Sequence, residues 1–191
     1  MNIKLPSLKQ LNEFSIEGLR EFATEKIDEA QIADMLDNPP GIVPYKLYAY
    51  LSTTFDDGII LDLGTNKGCS ALAASFNPKN HVLSYDINDF GQKGVKKDNI
   101  TFKIMDWQSD EELDYEKIKM IIIDTAHSGS QENAFMQWLT SKGWCGILLL
   151  DDIYLNHGMV GMWESIGAPK RDVTRLGHHR PCGTGIVEFG K

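Results

Sequence analysis

Three aspartates stand at or near the ends of three short apolar runs. Asp62 lies in GIILDL, Asp86 in HVLSYDI, and Asp106 directly follows ITFKIM. If the runs are parallel strands, their carboxyl ends meet at the edge of the sheet where ligands bind. Carboxylates there can accept hydrogen bonds from an ammonium, a ribose or a purine amino group, and Trp107 can stack on a purine. The set favours S-adenosylmethionine (SAM), which carries an amine, a ribose and an adenine.

The turn after the first run, DLGTNKG, extends this assignment. Gly64 lets the backbone pass close to a ligand, and Gly68 opens the next helix with free N–H groups. We assign Thr65 and Asn66, which lie between them, to the same cofactor site. The GxGxxG pattern of dinucleotide sites is absent. A carboxylate at Asp62 would repel a pyrophosphate but attract an amine or a sulfonium.

A second acidic group follows the next two runs. Asp124 ends MIIID, and Asp151 and Asp152 end GILLLDD. Three converging carboxylates repel one another, and their pKa values rise unless a cation joins them. Ligand sets of oxygen alone favour Mg²⁺, Ca²⁺ or Mn²⁺. The alternative is that Asp124 touches cofactor or substrate without a metal while Asp152 caps a turn.

His127 follows Asp124 by three residues. A histidine pKa near 6.5 suits a group that accepts a proton from a hydroxyl, so we predict that His127 is the catalytic base, beside Asp124. The alternative is a histidine that caps the following helix or is merely exposed.

Positive charge concentrates near the carboxyl terminus, in Lys170, Arg171, Arg175 and Arg180. This stretch could contact an anionic substrate such as a phosphorylated or carboxylated sugar. A solvated hairpin is the alternative.

The elements that must position these residues follow from the alternation of apolar runs with helical stretches. The five runs are 58–63, 81–87, 100–105, 120–125 and 146–153. Helical stretches (KGCSALAASF, EELDYEKI, SQENAFMQWLTSKG) and a short link at 88–99 separate them. Nearly continuous Ile, Leu and Val indicate parallel strands covered on both faces. Two more strands, around 171–177 and 184–190, are joined too tightly for a parallel crossover, so the last strand must be antiparallel. We predict an α/β, Rossmann-like, doubly wound sheet of seven strands.

The first quarter of the chain is predicted to be helical. Apolar residues recur at helical spacing over 7–38, NPPG breaks the pattern, and another helix covers 44–55. We divide the chain into a helical cap, 1–44, and a cofactor-binding domain, 45–191. The cap would either cover the pocket or form a homodimer surface.

Composition limits the classes of protein. The chain has 191 residues, the length of a single domain, and a net charge of −8, which argues against a nucleic-acid binder. Three widely spaced cysteines, Cys69, Cys145 and Cys182, indicate reduced thiols. The start lacks the apolar region of a signal peptide, and no apolar run is long enough to span a membrane. We expect a cytoplasmic protein that acts on a small molecule.

The sequence resembles the class I SAM-dependent methyltransferases over residues 45–191. The resemblance rests on the DLGTNKG turn, the acid of VLSYDI and Asp106 in IMDW. It implies that Asp62 and Gly64 face the methionine end of SAM and that Asp86 binds the ribose. Asp106 and Trp107 would then contact the adenine.

The second acidic group resembles the ligands of metal-dependent O-methyltransferases. Catechol-type enzymes have an Asp and then an Asp-Asn pair; macrocin-type sugar enzymes have an Asp and then Asp-Asp. The resemblance implies that Asp124, Asp151 and Asp152 hold a divalent cation, Mg²⁺ first, which would lower the pKa of an acceptor hydroxyl. The resemblance leaves the identity of the catalytic base open, because catechol enzymes carry Lys at the position of His127 and sugar enzymes carry Asp at that of Ala126.

These observations favour metal-assisted O-methylation of a small-molecule or sugar hydroxyl. A metal-independent N- or C-methyltransferase and a non-catalytic nucleoside-binding protein stay open. A nicotinamide-dependent oxidoreductase disagrees with the missing GxGxxG and with the acid before the turn.

Overall fold

The computed structural model describes residues 5–24, 27, 29–38, 42–176 and 182–190, apart from the side chains of Ile42 and Lys93. Seven strands form one sheet in the order β3-β2-β1-β4-β5-β7-β6. The strands are β1 Ile59–Leu63, β2 His81–Asp86, β3 Ile100–Ile104, β4 Ile118–Ile123, β5 Gly146–Asp151, β6 Lys170–Asp172 and β7 Thr184–Phe189.

Strand directions match the expectation from the sequence. β1 pairs in parallel with β2 and β4, β2 with β3, and β4 with β5. β7 runs antiparallel to both β5 and β6. The prediction of a mostly parallel seven-stranded sheet with an antiparallel last strand is confirmed.

Six α-helices lie in the described residues: α1 Leu8–Glu13, α2 Glu29–Leu36, α3 Ile42–Ser52, α4 Cys69–Ala74, α5 Ser130–Ser141 and α6 His157–Ser165. Alternate residues of the central strands enter two apolar cores. Ile60 and Ile122 pack with the N-terminal helices and α4, whereas Leu61 and Leu63 pack with α5 and α6. Burial on both faces explains why the strands are almost entirely apolar.

The N-terminal region forms short helices rather than one long one. α1 has a capping box, in which Ser7 and Gln10 hold each other's backbone N–H groups. A 3₁₀ helix covers Glu17–Phe22, and α1 and α2 contact α3. The helix predicted over 44–55 is α3, and the predicted break at NPPG falls largely on 39–41, outside the described residues.

The prediction of a helix in EELDYEKI is wrong, because residues 111–117 form turns. Asp110 accepts a hydrogen bond from Glu112 N at 3.1 Å, and Asp114 accepts one from Glu116 N at 3.2 Å. Aspartate side chains that bind backbone donors two residues ahead stabilise turns in preference to a helix. The strand expected over 171–177 is also shorter: β6 ends at Asp172, and a 3₁₀ turn covers Thr174–Leu176.

Among the described residues, no helix has both the length and the apolar character that crossing a membrane requires.

Candidate active site at the carboxyl ends of the strands

A cavity of about 670 Å³ opens at the carboxyl ends of β1, β2, β3 and β4. It contains most of the residues that the sequence assigned to the cofactor. From that set its lining includes Gly64, Asn66, Asp86, Asp106 and Trp107, and it also includes Asp124 and His127, which the sequence assigned to catalysis.

The turn after β1 lies directly against the end of β4. Gly64 has φ of +88°, and a β-carbon built there would overlap the carbonyl oxygen of Asp124. Asp124 N donates a hydrogen bond to Leu63 O at 3.0 Å. Gly64 therefore serves a backbone contact that brings Asp124 beside the turn. Gly68, with φ of +93°, precedes the six-residue helix α4.

Asp86 joins the turns that follow β1 and β2. Its Oδ2 accepts a hydrogen bond from Asn66 N at 3.0 Å, and its Oδ1 accepts one from Asn88 N at 3.1 Å. Asn66 has φ of +49°, the left-handed region that asparagine tolerates better than most residues. The carboxylate is thus fixed in place at the cavity.

Asp62 lies below the turn and does not line the cavity. It is fully buried, and Ser84 Oγ donates to its Oδ2 at 2.8 Å. Its Oδ1 has no aligned hydrogen-bond partner within the described part of the chain. Burial raises the pKa of Asp62 to about 6, against the hydroxyls of Ser70, Ser84 and Thr65, which lower it.

A second cavity, of about 200 Å³, lies beside the same turn and is covered by the N-terminal helices. Gln31, Asp34 and Tyr45 line one side, and Thr65 and Asp124 belong to the other. Gln31 Oε1 and Thr65 Oγ1 are buried without an aligned partner among the residues described. Acidic groups and unsatisfied acceptors make this cavity suited to a cationic hydrogen-bond donor.

Asp106 and Trp107 contribute in different ways. Asp106 is exposed, and its Oδ1 accepts a hydrogen bond from Gln108 N at 3.0 Å. Trp107 is buried, with its ring packed edge-to-face against Phe135 and Trp138 at centroid distances of 5.6 and 4.8 Å. The indole forms part of the cavity wall within an aromatic cluster.

Two apolar side chains at this cavity were not predicted. Ile87 is 75% exposed and Phe90 is 42% exposed, and both line it. An isoleucine directly after the strand-end acid Asp86 was the available signal. Apolar surfaces of this kind can pack on a flat ring.

The ring of His127 lies between two carboxylates. Its Nε2 is 3.1 Å from Asp124 Oδ1 and 3.6 Å from Asp152 Oδ2. Neither contact has the alignment of a hydrogen bond. Asp124 raises the pKa of His127 above its ordinary value, burial opposes the rise, and Asp152 and Asp151 add to it. The structure thus brings Asp124, His127 and Asp152 together.

Asp151 lies apart from the 670 Å³ cavity lining. It is buried at the end of β5, and Thr184 Oγ1 lies 3.3 Å from its Oδ1. Within the described ranges, no group of three or more His, Cys, Asp or Glu side chains is arranged to hold a metal ion. The metal site predicted at Asp124, Asp151 and Asp152 stays a prediction.

The basic stretch near the carboxyl terminus is partly engaged elsewhere. Lys170 donates to the carbonyl oxygens of Trp163 and Glu164, and Arg171 pairs with Glu188 at 3.0 Å. Arg180 lies outside the described residues.

The sheet order and the antiparallel β7 match the Rossmann-like fold of methyltransferases of solved structure. The particular structures that it resembles include a Corynebacterium glutamicum protein, with a TM-score of 0.62 and 15% identity over 92% of this chain and 97% of that one. The O-methyltransferase TomG of Streptomyces achromogenes, involved in tomaymycin synthesis and solved with SAM, has a TM-score of 0.58 and 14% identity over 95% and 99%. A Bacillus cereus O-methyltransferase solved with S-adenosylhomocysteine has a TM-score of 0.57 and 14% identity over 98% and 94%. No protein-family model matches the sequence, and no curated protein matches it significantly.

Proposed function

We propose that this protein transfers the methyl group of SAM to a hydroxyl oxygen of a small molecule. The observation that carries the proposal is the acidic, partly apolar cavity at the carboxyl ends of four parallel strands. The fold shared with O-methyltransferases that hold SAM or S-adenosylhomocysteine supports it.

The two cavities together can receive the parts of SAM in the order of the strands. Asp106 and Ile87 suit the adenine, one as a hydrogen-bond acceptor and the other as an apolar surface. Asp86 suits the ribose hydroxyls. The ammonium of the methionine end matches the second cavity, where Gln31 and Thr65 present buried acceptor atoms. Asp62 then attracts the ammonium through its negative charge from below the turn, without contacting it.

The reaction we assign is an in-line displacement. The carbon–sulfur bond breaks as the bond from acceptor oxygen to methyl carbon forms. His127 takes the hydroxyl proton, and Asp124 stabilises the imidazolium that results. The main contribution of the protein is to align oxygen, carbon and sulfur, which can supply several kcal/mol.

A divalent cation at Asp124, Asp151 and Asp152 stays a prediction of the resemblance. In this structure the imidazole of His127 occupies the space between Asp124 and Asp152. A cation that used both carboxylates would have to displace it. We therefore assign no step to a metal. Measuring turnover with and without EDTA separates the two routes. The His127 route needs no metal ion, so EDTA should leave its rate unchanged.

Calorimetry with SAM and with NAD tests the proposal. We expect SAM to bind and NAD not to bind, because carboxylates beside the turn repel a pyrophosphate. Asp86→Asn should weaken SAM binding about tenfold or more, since hydrogen bonds to a charged group contribute roughly 1.5–3 kcal/mol. Asp98→Asn, which removes an exposed acid before β3, is the matched control. The proposal would be refuted if the protein bound NAD but not SAM. It would also be refuted if the protein bound SAM but transferred its methyl group to no hydroxyl acceptor.

A further inference from the structure

The loop between β4 and α5, residues 124–129, carries both Asp124 and His127. Its conformation is set by two side chains outside the cavity lining, Glu132 in α5 and Asn156 at the start of α6. Neither residue was singled out from the sequence.

Glu132 accepts hydrogen bonds from three groups of this loop. Its Oε1 accepts from His127 N at 3.0 Å and from Thr125 Oγ1 at 3.2 Å. Its Oε2 accepts from Gly129 N at 2.7 Å. The residue is 1% exposed. Burying a carboxylate is costly unless donors compensate it, so both oxygens hold the loop firmly.

Asn156 holds the other peptide group of His127. Its Nδ2 donates to His127 O at 2.8 Å, and its Oδ1 accepts from Met159 N at 3.0 Å as the cap of α6. The backbone N–H of His127 is therefore fixed by α5 and its carbonyl by α6.

This double attachment accompanies an unfavourable backbone conformation. His127 has φ of +51°, in the left-handed region that side chains with a β-carbon rarely adopt. Gly129 and Gly158 bring the two helix starts together: a β-carbon on Gly129 would overlap Gly158 O, and one on Gly158 would overlap Ser128 O. The surroundings thus impose the conformation that directs the imidazole between Asp124 and Asp152.

We propose that Glu132 and Asn156 are positioning residues that hold the His127 ring between Asp124 and Asp152 through the two backbone groups of His127. The chemical use of that ring rests on the proposed function, but the positioning does not.

Two substitutions separate positioning from general stability. Glu132→Gln places an amide donor where an oxygen now accepts, so it cannot serve both His127 N and Gly129 N. Asn156→Asp keeps a good helix cap for Met159 N but loses the donor to His127 O. If Glu132→Gln does not fold, Asn156→Asp decides alone. Asn80→Ala is the control, because it removes three buried hydrogen bonds at the opposite end of the sheet.

The readouts are crystal structures and the NMR signals of the His127 ring protons. In both variants we expect the ring to leave its place 3.1 Å from Asp124 Oδ1 and 3.6 Å from Asp152 Oδ2, with changed ring shifts. Asn80→Ala should lower stability without moving the ring. A ring that keeps both distances in the two variants would overturn the inference.

Calorimetry on the same proteins keeps the two proposals distinguishable. SAM affinity should stay within about threefold of wild type in both variants, because the groups proposed to bind SAM, among them Asp86, Ile87 and Asp106, lie outside the 124–129 loop. Absence of SAM binding by the wild type would refute the proposed function while leaving the positioning result intact. Where an acceptor is turned over, kcat should fall about 10- to 100-fold with little change in KM for SAM.

Discussion

The α-carbon of Gly64 lies so close to the carbonyl oxygen of Asp124 that no β-carbon fits between them. This backbone contact joins the turn after β1 to the end of β4. It brings the turn proposed to bind the cofactor beside Asp124, the partner of the proposed base His127.

Gly64→Ala should therefore destabilise the protein severely. The new methyl group overlaps main-chain atoms, which cannot move as a flexible side chain can, and the residue must keep φ of +88°. We expect a loss of about 3 kcal/mol or more in the free energy of unfolding, measured with urea. Gly91→Ala is the matched control, since φ is +91° there with no atom within 4 Å of the added carbon. It should cost about 1–2 kcal/mol from backbone strain alone. Equal losses in the two variants would contradict the close contact.

Asp62→Asn should remove a pH dependence of stability. Burial raises the pKa of Asp62 to about 6 in the folded protein, whereas an aspartate in an unfolded chain titrates near about 3.9. The folded protein binds this proton more tightly, so the contribution of Asp62 to stability falls as pH rises through this interval and is constant above it. The variant should gain roughly 3 kcal/mol relative to wild type between about pH 4 and about pH 7. If the free energies of unfolding of the variant and of wild type, measured with urea, changed equally with pH, the carboxylate would not be desolvated in the folded protein.

Ile87→Ala should weaken SAM binding without lowering stability. The side chain is 75% exposed, so folding gains little from it, whereas an adenine packed on it would bury it. A loss of about 1–2 kcal/mol corresponds to roughly 5- to 30-fold in Kd by calorimetry. Ile104→Ala serves as the control, because Ile104 is 47% exposed and does not line the cavity. Equal affinity in both variants would place the adenine elsewhere.

His127→Ala should increase the affinity for Mn²⁺. The substitution removes the ring from between Asp124 and Asp152, and close carboxylates that repel each other favour a divalent cation. We expect about tenfold tighter Mn²⁺ binding than in wild type by electron paramagnetic resonance. The double variant His127→Ala, Asp124→Asn should lose this gain. Tighter binding that survives removal of the Asp124 charge would mean that the cation binds at another place.

The sheet was predictable because its strands are short, apolar and bounded by turn residues. Parallel strands bring their carboxyl ends to one edge, and this rule alone placed Asp86, Asp106 and Asp124 on one cavity. The rule did not hold for Asp62, which does not line the cavity, because β1 continues through Leu63 and Asp62 is therefore not at the end of its strand. The carboxylate therefore points away from the cavity, towards Ser84 and Ser70 below the turn.

The features that the sequence did not reveal depend on contacts between distant segments. Glu132 and Asn156 meet His127 through hydrogen bonds to its backbone, which leave no residue pattern. The left-handed conformation of His127 is likewise held by its surroundings, since positive φ is uncommon for any residue other than glycine. The turns of 111–117 are the exception, because they depend on local competition between aspartate side chains and helical hydrogen bonds.

The most direct test of the account is a crystal structure of the protein with S-adenosylhomocysteine. We expect the ribose hydroxyls within hydrogen-bonding distance of Asp86, the adenine between Ile87 and Asp106, and the amino end beside Gln31 and Thr65. An empty cavity at saturating ligand, or a nucleoside bound with its ribose away from Asp86, would contradict the central claim that this acidic edge is a SAM site.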